Sequence, residues 1–199
     1  MKILIATPVY NNQLDSRMVS SVLKVITECA KRNVSLDWDR PCSPILSYNR
    51  NVSAQRAIDE DFDWLLFWDA DTTVDDPVFA FKAIELGYGL NAGVIGFPCR
   101  LKVPEKRWNF CIEGNKNHEG ELPENQFPVH VIGTGLMLIN VKVLKTLPTP
   151  WFHIQDTYHD KPGFYPEDWT FCELAHKHDI KVIADSRFHV GHWGTHCYG

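Results

Sequence analysis

The stretch Asp63-Trp64-Leu65-Leu66-Phe67-Trp68-Asp69-Ala70-Asp71-Thr72 decides the fold class, because an apolar run stops abruptly at two carboxylates separated by one small residue. Such a run reads as a strand buried on both faces, and it carries whatever follows it to the edge of a sheet. In extended backbone, side chains two apart share a face, so Asp69 and Asp71 are expected side by side with Ala70 leaving room next to them. At about 5 Å and an effective dielectric of about 20 they repel by roughly 3 kcal/mol, which a divalent cation turns into attraction. Asp-x-Asp also caps strands and starts turns, and Asp75, Asp76 and Pro77 follow closely. The triplet alone therefore leaves a metal site and a simple turn both open.

The chain around this strand alternates. Residues 2–10 form another apolar run, ending in Thr7-Pro8-Val9-Tyr10. Asp15 and Ser16 suit a helix start, and Met18, Val19, Val22, Leu23 and Ile26 recur at helical spacing to about Arg32. A strand at 34–38, a helix at 47–60, the strand at 63–68, a helix at 77–86 and a strand at 92–97 continue the series. This order predicts an α/β sandwich with a mostly parallel sheet, whose ligands sit beyond the carboxyl ends of the strands. Residues 99–128, rich in Lys, Glu, Asn, Gly and Pro, read as a long excursion of the kind that covers a site. The strand-like run 129–141 contains Gly133-Thr134-Gly135, where glycine either admits backbone close to a ligand or makes a bulge.

At 199 residues and 44% hydrophobic, the chain suits one sizeable domain with a full core. Its net charge of −5 and the lack of a basic run argue against nucleic acid as a partner. The six cysteines contain no Cys-x-x-Cys pair and read as reduced, mostly buried thiols. Met1-Lys2-Ile3-Leu4-Ile5-Ala6 lacks the pattern of a signal peptide, and no transmembrane segment of ~20 apolar residues is present, so a cytoplasmic location is expected. The chain stops after Cys197-Tyr198-Gly199 without a clear closing element, as an N-terminal domain of a longer protein would.

Three groups are expected to converge on the acidic corner. Tyr10 can stack on a base or plug the sheet's edge. Arg50, next to Asn51, can neutralise Asp69, touch a phosphate, or be an ordinary solvated helix charge. The tail Arg187-Phe188-His189-Val190-Gly191-His192-Trp193-Gly194-Thr195-His196 concentrates imidazoles suited to manganese or zinc, with His189 the first choice as third metal ligand. A separate zinc site from His192, His196 and Cys197 lacks recognisable spacing. Phe164-Tyr165-Pro166-Glu167-Asp168-Trp169 offers a proline and two acids that suit a helix start. It also offers a carboxylate among Trp151, Phe152, Tyr165 and Trp169, aromatics able to stack on sugar faces, where it can serve as general base. The helix dipole would lower that carboxylate's pKa and burial would raise it, an opposition the sequence leaves open.

Taken in order, these motifs resemble a family. Leu46-Ser47-Tyr48-Asn49-Arg50-Asn51 through Trp68-Asp69-Ala70-Asp71 is similar to the Arg-Asn helix and Asp-x-Asp strand of GT-A fold, metal-dependent glycosyltransferases. Thr7-Pro8-Val9-Tyr10 resembles their nucleotide-binding first strand, Gly133-Thr134-Gly135 their acceptor-side glycine strand, Glu167-Asp168 their Glu-Asp motif, and Phe188-His189-Val190-Gly191 their metal-binding histidine segment. The compact size is also similar to the glycosyltransferase domains of large algal (chlorella) viruses, for which the location would be the host cytoplasm. The resemblance implies a GT-A type, Rossmann-like α/β/α sandwich as a single domain, with residues 1–98 as the nucleotide-sugar half and 99–199 as the acceptor half. It implies transfer of a hexose from a UDP-sugar to a glycan hydroxyl, possible on a glycoprotein, with Mn²⁺ or Mg²⁺ as cofactor. The donor would be bound by Thr7, Pro8, Val9, Tyr10, Arg50, Asn51, Asp69, Ala70 and Asp71, and the metal by Asp69, Asp71, His189 and His192. The acceptor would meet Gly133, Thr134, Gly135, Trp151 and Trp169. Asp168 would be the base, Glu167 its understudy, and the reaction inverting. The absence of Gln-x-x-Arg-Trp favours single-residue transfer over polymerisation.

Two rivals stand beside this reading. A sugar-nucleotide pyrophosphorylase would want a glycine-rich phosphate loop after the first strand, where Asn11-Asn12-Gln13-Leu14-Asp15 has none. A non-catalytic carbohydrate-binding domain explains the tryptophans but has no use for Asp69, Asp71 and His189 together.

Overall fold

The structure, a computed structural model, describes every residue except Asn115, His159, Asp160, Thr195, His196 and Gly199; at residues 157–158, 161–163 and 197–198 the backbone alone is described. The first half runs β1 (Lys2–Ala6), α1 (Ser16–Lys31), β2 (Ser35–Asp39), α2 (Leu46–Asp59), β3 (Trp64–Trp68), β4 (Thr72–Val74), α3 (Phe79–Leu90) and β5 (Val94–Gly96). The second runs β6 (Phe110–Cys111), β7 (Gln126–Pro128), β8 (Val131–Ile132), β9 (Leu136–Asn140), α4 (Val141–Leu144), β10 (Gln155–Tyr158), β11 (Lys161–Tyr165), α5 (Glu167–Lys177), β12 (Val182–Asp185), β13 (Val190–Trp193) and β14 (Cys197–Tyr198).

Seven strands form the central sheet in the order β2-β1-β3-β9-β5-β12-β7. Five point one way, and β9 and β7 run against them. The mostly parallel sheet expected from the alternation of elements is therefore present. Its strand β3 is buried along its whole length, and alternate side chains feed two cores. Trp64, Leu66 and Trp68 join Ile3 and Ile5 under α1 and α3, where Met18, Val22, Phe79 and Ala83 meet them. Leu65 and Phe67 join Leu4 and Ala6 under α2, α4 and α5, with Ala54, Leu144 and Phe171. Each such side chain, fully buried, contributes about 1.5–3 kcal/mol of hydrophobic stabilisation, which makes β3 the backbone of the molecule.

Element boundaries depart from the expected ones where turn chemistry intervenes. The helix expected at 77–86 begins at Phe79 and continues to Leu90. The run 129–141 is not one strand: β8 and β9 are separated at Gly133-Thr134-Gly135, and Val141 already begins α4, capped by the Asn140 side chain. The excursion 99–128 contains β6 and also β7, which closes an edge of the central sheet against β12. Of the six cysteines, Cys29, Cys99, Cys111 and Cys172 are buried free thiols and Cys42 is an exposed one. No helix among the described residues is long and apolar enough to cross a membrane.

Strand direction positions the site. The carboxyl ends of β1, β3 and β5 share one edge with the start of the antiparallel β9, so residues 7–10, 69–71, 97–102 and 133–135 gather there. Helices α2 and α5 each lead into a strand that points toward that edge, so their N-termini, carrying Arg50 and Glu167-Asp168, open beside it.

Candidate active site

A cleft of about 590 Å³ lies at this edge, walled by Pro8, Tyr10, Asn49, Asp69, Ala70 and Asp71 among others. The two aspartates line it together, but a turn brings them there, since β3 ends at Trp68. The turn is pinned from three sides. Asp69 donates its N–H to the Gly135 carbonyl (2.9 Å), the Thr72 hydroxyl donates to the same carbonyl (3.0 Å), and the Trp68 indole donates to the Thr72 carbonyl (2.9 Å). Tyr10 is 74% exposed, so its ring is free to stack and does not plug the sheet. Thr7 lies beneath the cleft, fully buried, its hydroxyl accepting from the Trp38 indole (2.9 Å), and Val9 is held by its backbone to Pro41 (3.0 Å).

Arg50 is not a solvated helix charge. Only 2% exposed, it pairs with buried Glu167 and reaches Asp69 Oδ1 at 3.4 Å from behind the cleft. Its place beside Asp69 suits the neutralising role. Burial pushes the Asp69 carboxyl above the usual range, the Arg50 guanidinium opposes that shift, and the Asp71 charge adds to it. Asn51, expected at the donor, uses its amide elsewhere: it donates to the Phe152 carbonyl (2.6 Å) and accepts from the N–H groups of Trp151 (3.0 Å) and Phe152 (3.2 Å). Trp151 itself is a core residue, 4% exposed, its indole bound to the Leu144 carbonyl (3.0 Å).

The two histidines face different acids. Strand β13 pairs antiparallel with β4 in the register Val190↔Val74 and His192↔Thr72. One residue beyond each end, that register sets His189 against Asp75 and brings the chain at 192–193 to Asp71. His189 is accordingly exposed, its Nδ1 3.4 Å from Asp75 Oδ2. His192 presents Nε2 to Asp71 Oδ1 at 3.6 Å, while its Nδ1 meets the Arg100 carbonyl at 2.8 Å. A carbonyl only accepts, so Nδ1 carries the hydrogen, and it is in the neutral form of the ring that Nε2 offers a lone pair on the carboxylate side. Two lone-pair donors facing each other, with the second imidazole nitrogen anchored on a carbonyl, form the arrangement that metal-ligating histidines adopt. Of the separate zinc set, His196 lies outside the described residues and Cys197 is described by its backbone alone, whereas His192 faces Asp71.

Among the described residues, no three His, Cys, Asp or Glu side chains group closely enough to hold a metal by themselves. The donor set still fits a hard divalent ion that takes one or two carboxylates plus substrate phosphates, as Mg²⁺ does. The charge balance fits as well. Asp69, Asp71, Glu167 and Asp168 are offset by Arg50, paired with Glu167 and Asp69, and by Lys102, paired with Asp71, leaving two negative charges when His192 is neutral.

Asp168 sits in a second, smaller cavity of about 230 Å³ with Leu101, Asn109, Asn117, Gly133 and Trp169. It accepts from the Trp169 N–H (2.9 Å) and from the Thr134 N–H (3.4 Å). Burial outweighs both of these bonds and the Arg50 charge, and the carboxyl is pushed up to about 6, with Glu167 next door adding to the rise. Gly133 is there because space is short: a Cβ on it would lie 3.2 Å from Asn109 Nδ2 and 3.3 Å from Asp168 Oδ2. Glu167 is bound to Arg50 and buried, so it positions that guanidinium and faces no acceptor. Lys102, Asn49 and Asn109 were missed by the sequence reading. Asn49 borders the cleft with a buried Oδ1 that has no hydrogen-bond partner, and Asn109 accepts from the Cys99 N–H (2.9 Å) beneath Gly133. Only Asn49 carried a signal, its place beside Arg50 in the helical segment.

No protein-family model matches the chain, and no curated protein sequence matches it significantly. Solved structures do resemble it. A197 from STIV superposes with a TM-score of 0.69 at 18% identity, over 98% of this chain and 86% of that one. A UTP-bound UGPase from Acinetobacter baumannii gives 0.56 at 10% identity, over 96% and 88%. A Drosophila β-1,4-galactosyltransferase 7 in complex with manganese, UDP-Gal and xylobiose gives 0.54 at 11% identity, over 94% of this chain and 66% of that one. At such identities the likeness is one of fold, and the fold is the GT-A type α/β sandwich of nucleotide-sugar enzymes.

Proposed function

We propose that this protein is a glycosyltransferase that moves a hexose from a nucleoside diphosphate sugar, best a UDP-sugar, to a glycan hydroxyl, with Mn²⁺ or Mg²⁺ and with inversion. The observation that carries the reading is the pair of cavities on either side of one carboxylate system. Asp69 and Asp71 border the larger cavity, Asp168 borders the smaller, and the Glu167–Arg50–Asp69 chain joins them. A pyrophosphorylase shares the fold but needs no base beside an acceptor, and residues 11–15 lack the glycines its triphosphate loop requires. A sugar-binding module has no need for a buried Arg50–Glu167 pair supporting a half-buried acid at the cleft wall.

In this mechanism Tyr10 stacks on the base and the 69–71 turn faces the diphosphate. Asp71 and His192 would hold a divalent ion, and Asp69, kept in place by Arg50, would assist at the metal or the ribose. Bound there, a divalent ion supplies Lewis-acid stabilisation of the departing diphosphate. Asp168 accepts the proton of the acceptor hydroxyl as its oxygen bonds to the anomeric carbon and the bond from that carbon to the diphosphate breaks. One displacement from the opposite face inverts the centre. Residues 1–98 then serve mainly the donor and 99–199 the acceptor, with His192 and Lys102 reaching back to Asp71. The test is UDP release from UDP-sugars with a panel of glycan acceptors, the product anomer being read by NMR. Inverted product that disappears in Asp168→Asn, with UDP binding intact, is the expected result. A retained anomer removes Asp168 from the role of base, and formation of UDP-sugar from UTP and a sugar 1-phosphate would make the protein a pyrophosphorylase.

A further inference from the structure

Leu101 and Lys102 are consecutive residues directed at different acids of the site. Leu101 borders the small cavity with Asp168, while the Lys102 ammonium is ion-paired with Oδ2 of Asp71, a residue of the large cavity's wall. The segment that carries them is closed on itself. Leu101 N–H donates to the Arg107 carbonyl (2.9 Å), the Arg100 guanidinium donates to the Glu105 carbonyl (3.1 Å), and Arg100 pairs with Trp108 across an antiparallel bridge. The same segment supplies the carbonyl that orients His192. A fixed hairpin thus sets both the imidazole and the ammonium on the two oxygens of one carboxylate.

Resting on the transferase reading, we propose that Lys102 is a diphosphate-binding residue, parked on Asp71 in the free enzyme and transferred to the donor's diphosphate when the nucleotide binds. The nearby cations differ in how free they are to do this. Arg50 lies buried behind Asp69 and bound to Glu167, and Arg17 is held between Asp15 and the face of Trp193, 3.7 Å from its ring centre. Lys102 is about one third exposed, on a flexible four-carbon stem with three donor hydrogens. A divalent ion taken up by Asp71 and His192 repels the ammonium, because like charges that share one carboxylate raise each other's energy. The diphosphate that arrives with the ion is the acidic partner to which the ammonium can move without leaving its hairpin. Metal and lysine therefore oppose each other on the bare protein and assist each other once a diphosphate is present.

The two situations are separable by binding alone. Mn²⁺ affinity without nucleotide, followed by EPR of the free ion, and UDP affinity at saturating Mn²⁺, followed by calorimetry, are measured on the parent, Lys102→Met and Lys102→Arg. Lys102→Met is expected to bind Mn²⁺ alone more tightly by about fivefold or more, and UDP with Mn²⁺ more weakly by at least about tenfold, the loss typical of one charge-assisted hydrogen bond. Lys102→Arg, which keeps the charge, is expected to hold UDP within about threefold of the parent. UDP affinity in Lys102→Met within twofold of the parent overturns the role of Lys102 while leaving the transferase reading intact. A parent that binds no nucleoside diphosphate with Mn²⁺ overturns both.

Discussion

Removing Glu167 is expected to destabilise the protein severely and to weaken metal binding through Arg50. The pair is buried, Arg50 at 2% and Glu167 at 6% exposure, and truncating one partner of such a pair typically costs about 3–5 kcal/mol because a charge is left buried and uncompensated. Arg50 keeps Asp69 at 3.4 Å in the variant, so Glu167→Ala belongs at the lower end, about 3 kcal/mol. For a chain of this length that corresponds to a fall in Tm of roughly 6–12 °C. The released guanidinium then leans on Asp69, and metal-dependent UDP binding weakens with it. Urea unfolding followed by circular dichroism measures the first effect and calorimetry the second. The double variant Arg50→Met/Glu167→Leu, which replaces the pair with apolar volume, should recover most of the stability and none of the activity. A loss below about 1 kcal/mol in Glu167→Ala, or strict additivity in the double variant, would refute the view that these two charges sustain each other.

Other consequences follow from the site. Asp168 accepts a proton only when ionised, and burial raises its carboxyl to about 6, so kcat should fall tenfold per pH unit below about 6 instead of below the ordinary carboxylate value near 4. A rate that stays flat down to pH 5 removes this group from the titration. The same raised value means that the fold disfavours the charged form, so this contribution to stability improves as pH falls through 6, and Asp168→Asn at pH 7 should unfold no earlier than the parent. His192→Ala is expected to weaken metal-dependent UDP binding by at least about tenfold, whereas His189→Ala, on the Asp75 side of β13, leaves it unchanged; the reverse pattern would contradict the β4–β13 register. Gly133→Ala should slow turnover at saturating donor with UDP affinity intact, since the new Cβ presses on Asn109 and Asp168 and not on the 69–71 turn. Equal losses in both would place that glycine at the donor.

Much of the scaffold was legible in the linear pattern because one physical rule governs it. A strand buried on both faces must be apolar throughout, which singled out 64–68, and a helix covering a sheet repeats at 3.6, which singled out α1 through Met18, Val19, Val22, Leu23 and Ile26, of which Met18 and Val22 are buried and Leu23 is exposed. The abrupt end of β3 at Asp69 also placed the carboxylates at a sheet edge, whatever followed. Glycines 133 and 135 marked a break, although not that it would divide a strand and let a backbone carbonyl receive the Asp69 N–H.

What local pattern could not decide was anything set by register and burial between distant segments. Whether His189 or His192 faced Asp71 depended on the pairing of β13 with β4, more than a hundred residues apart in sequence, and only the register His192↔Thr72 sets His192 beside Asp71 and His189 beside Asp75. Whether Arg50 was solvated or sealed behind Asp69 depended on α5 docking Glu167 against it. The competition between helix dipole and burial at Asp168 was decided for burial only when Gly133, Asn109 and Trp169 closed around the carboxylate. Lys102 reached Asp71 through a hairpin whose sequence carries no periodicity at all. The amino-acid order by itself determined which residues would form the layers and which acids would stand at their edge, because burial and backbone geometry act over a few neighbours. The partners of those acids were decided by the tertiary structure alone, because electrostatic pairing depends on distance in space and is blind to separation along the chain.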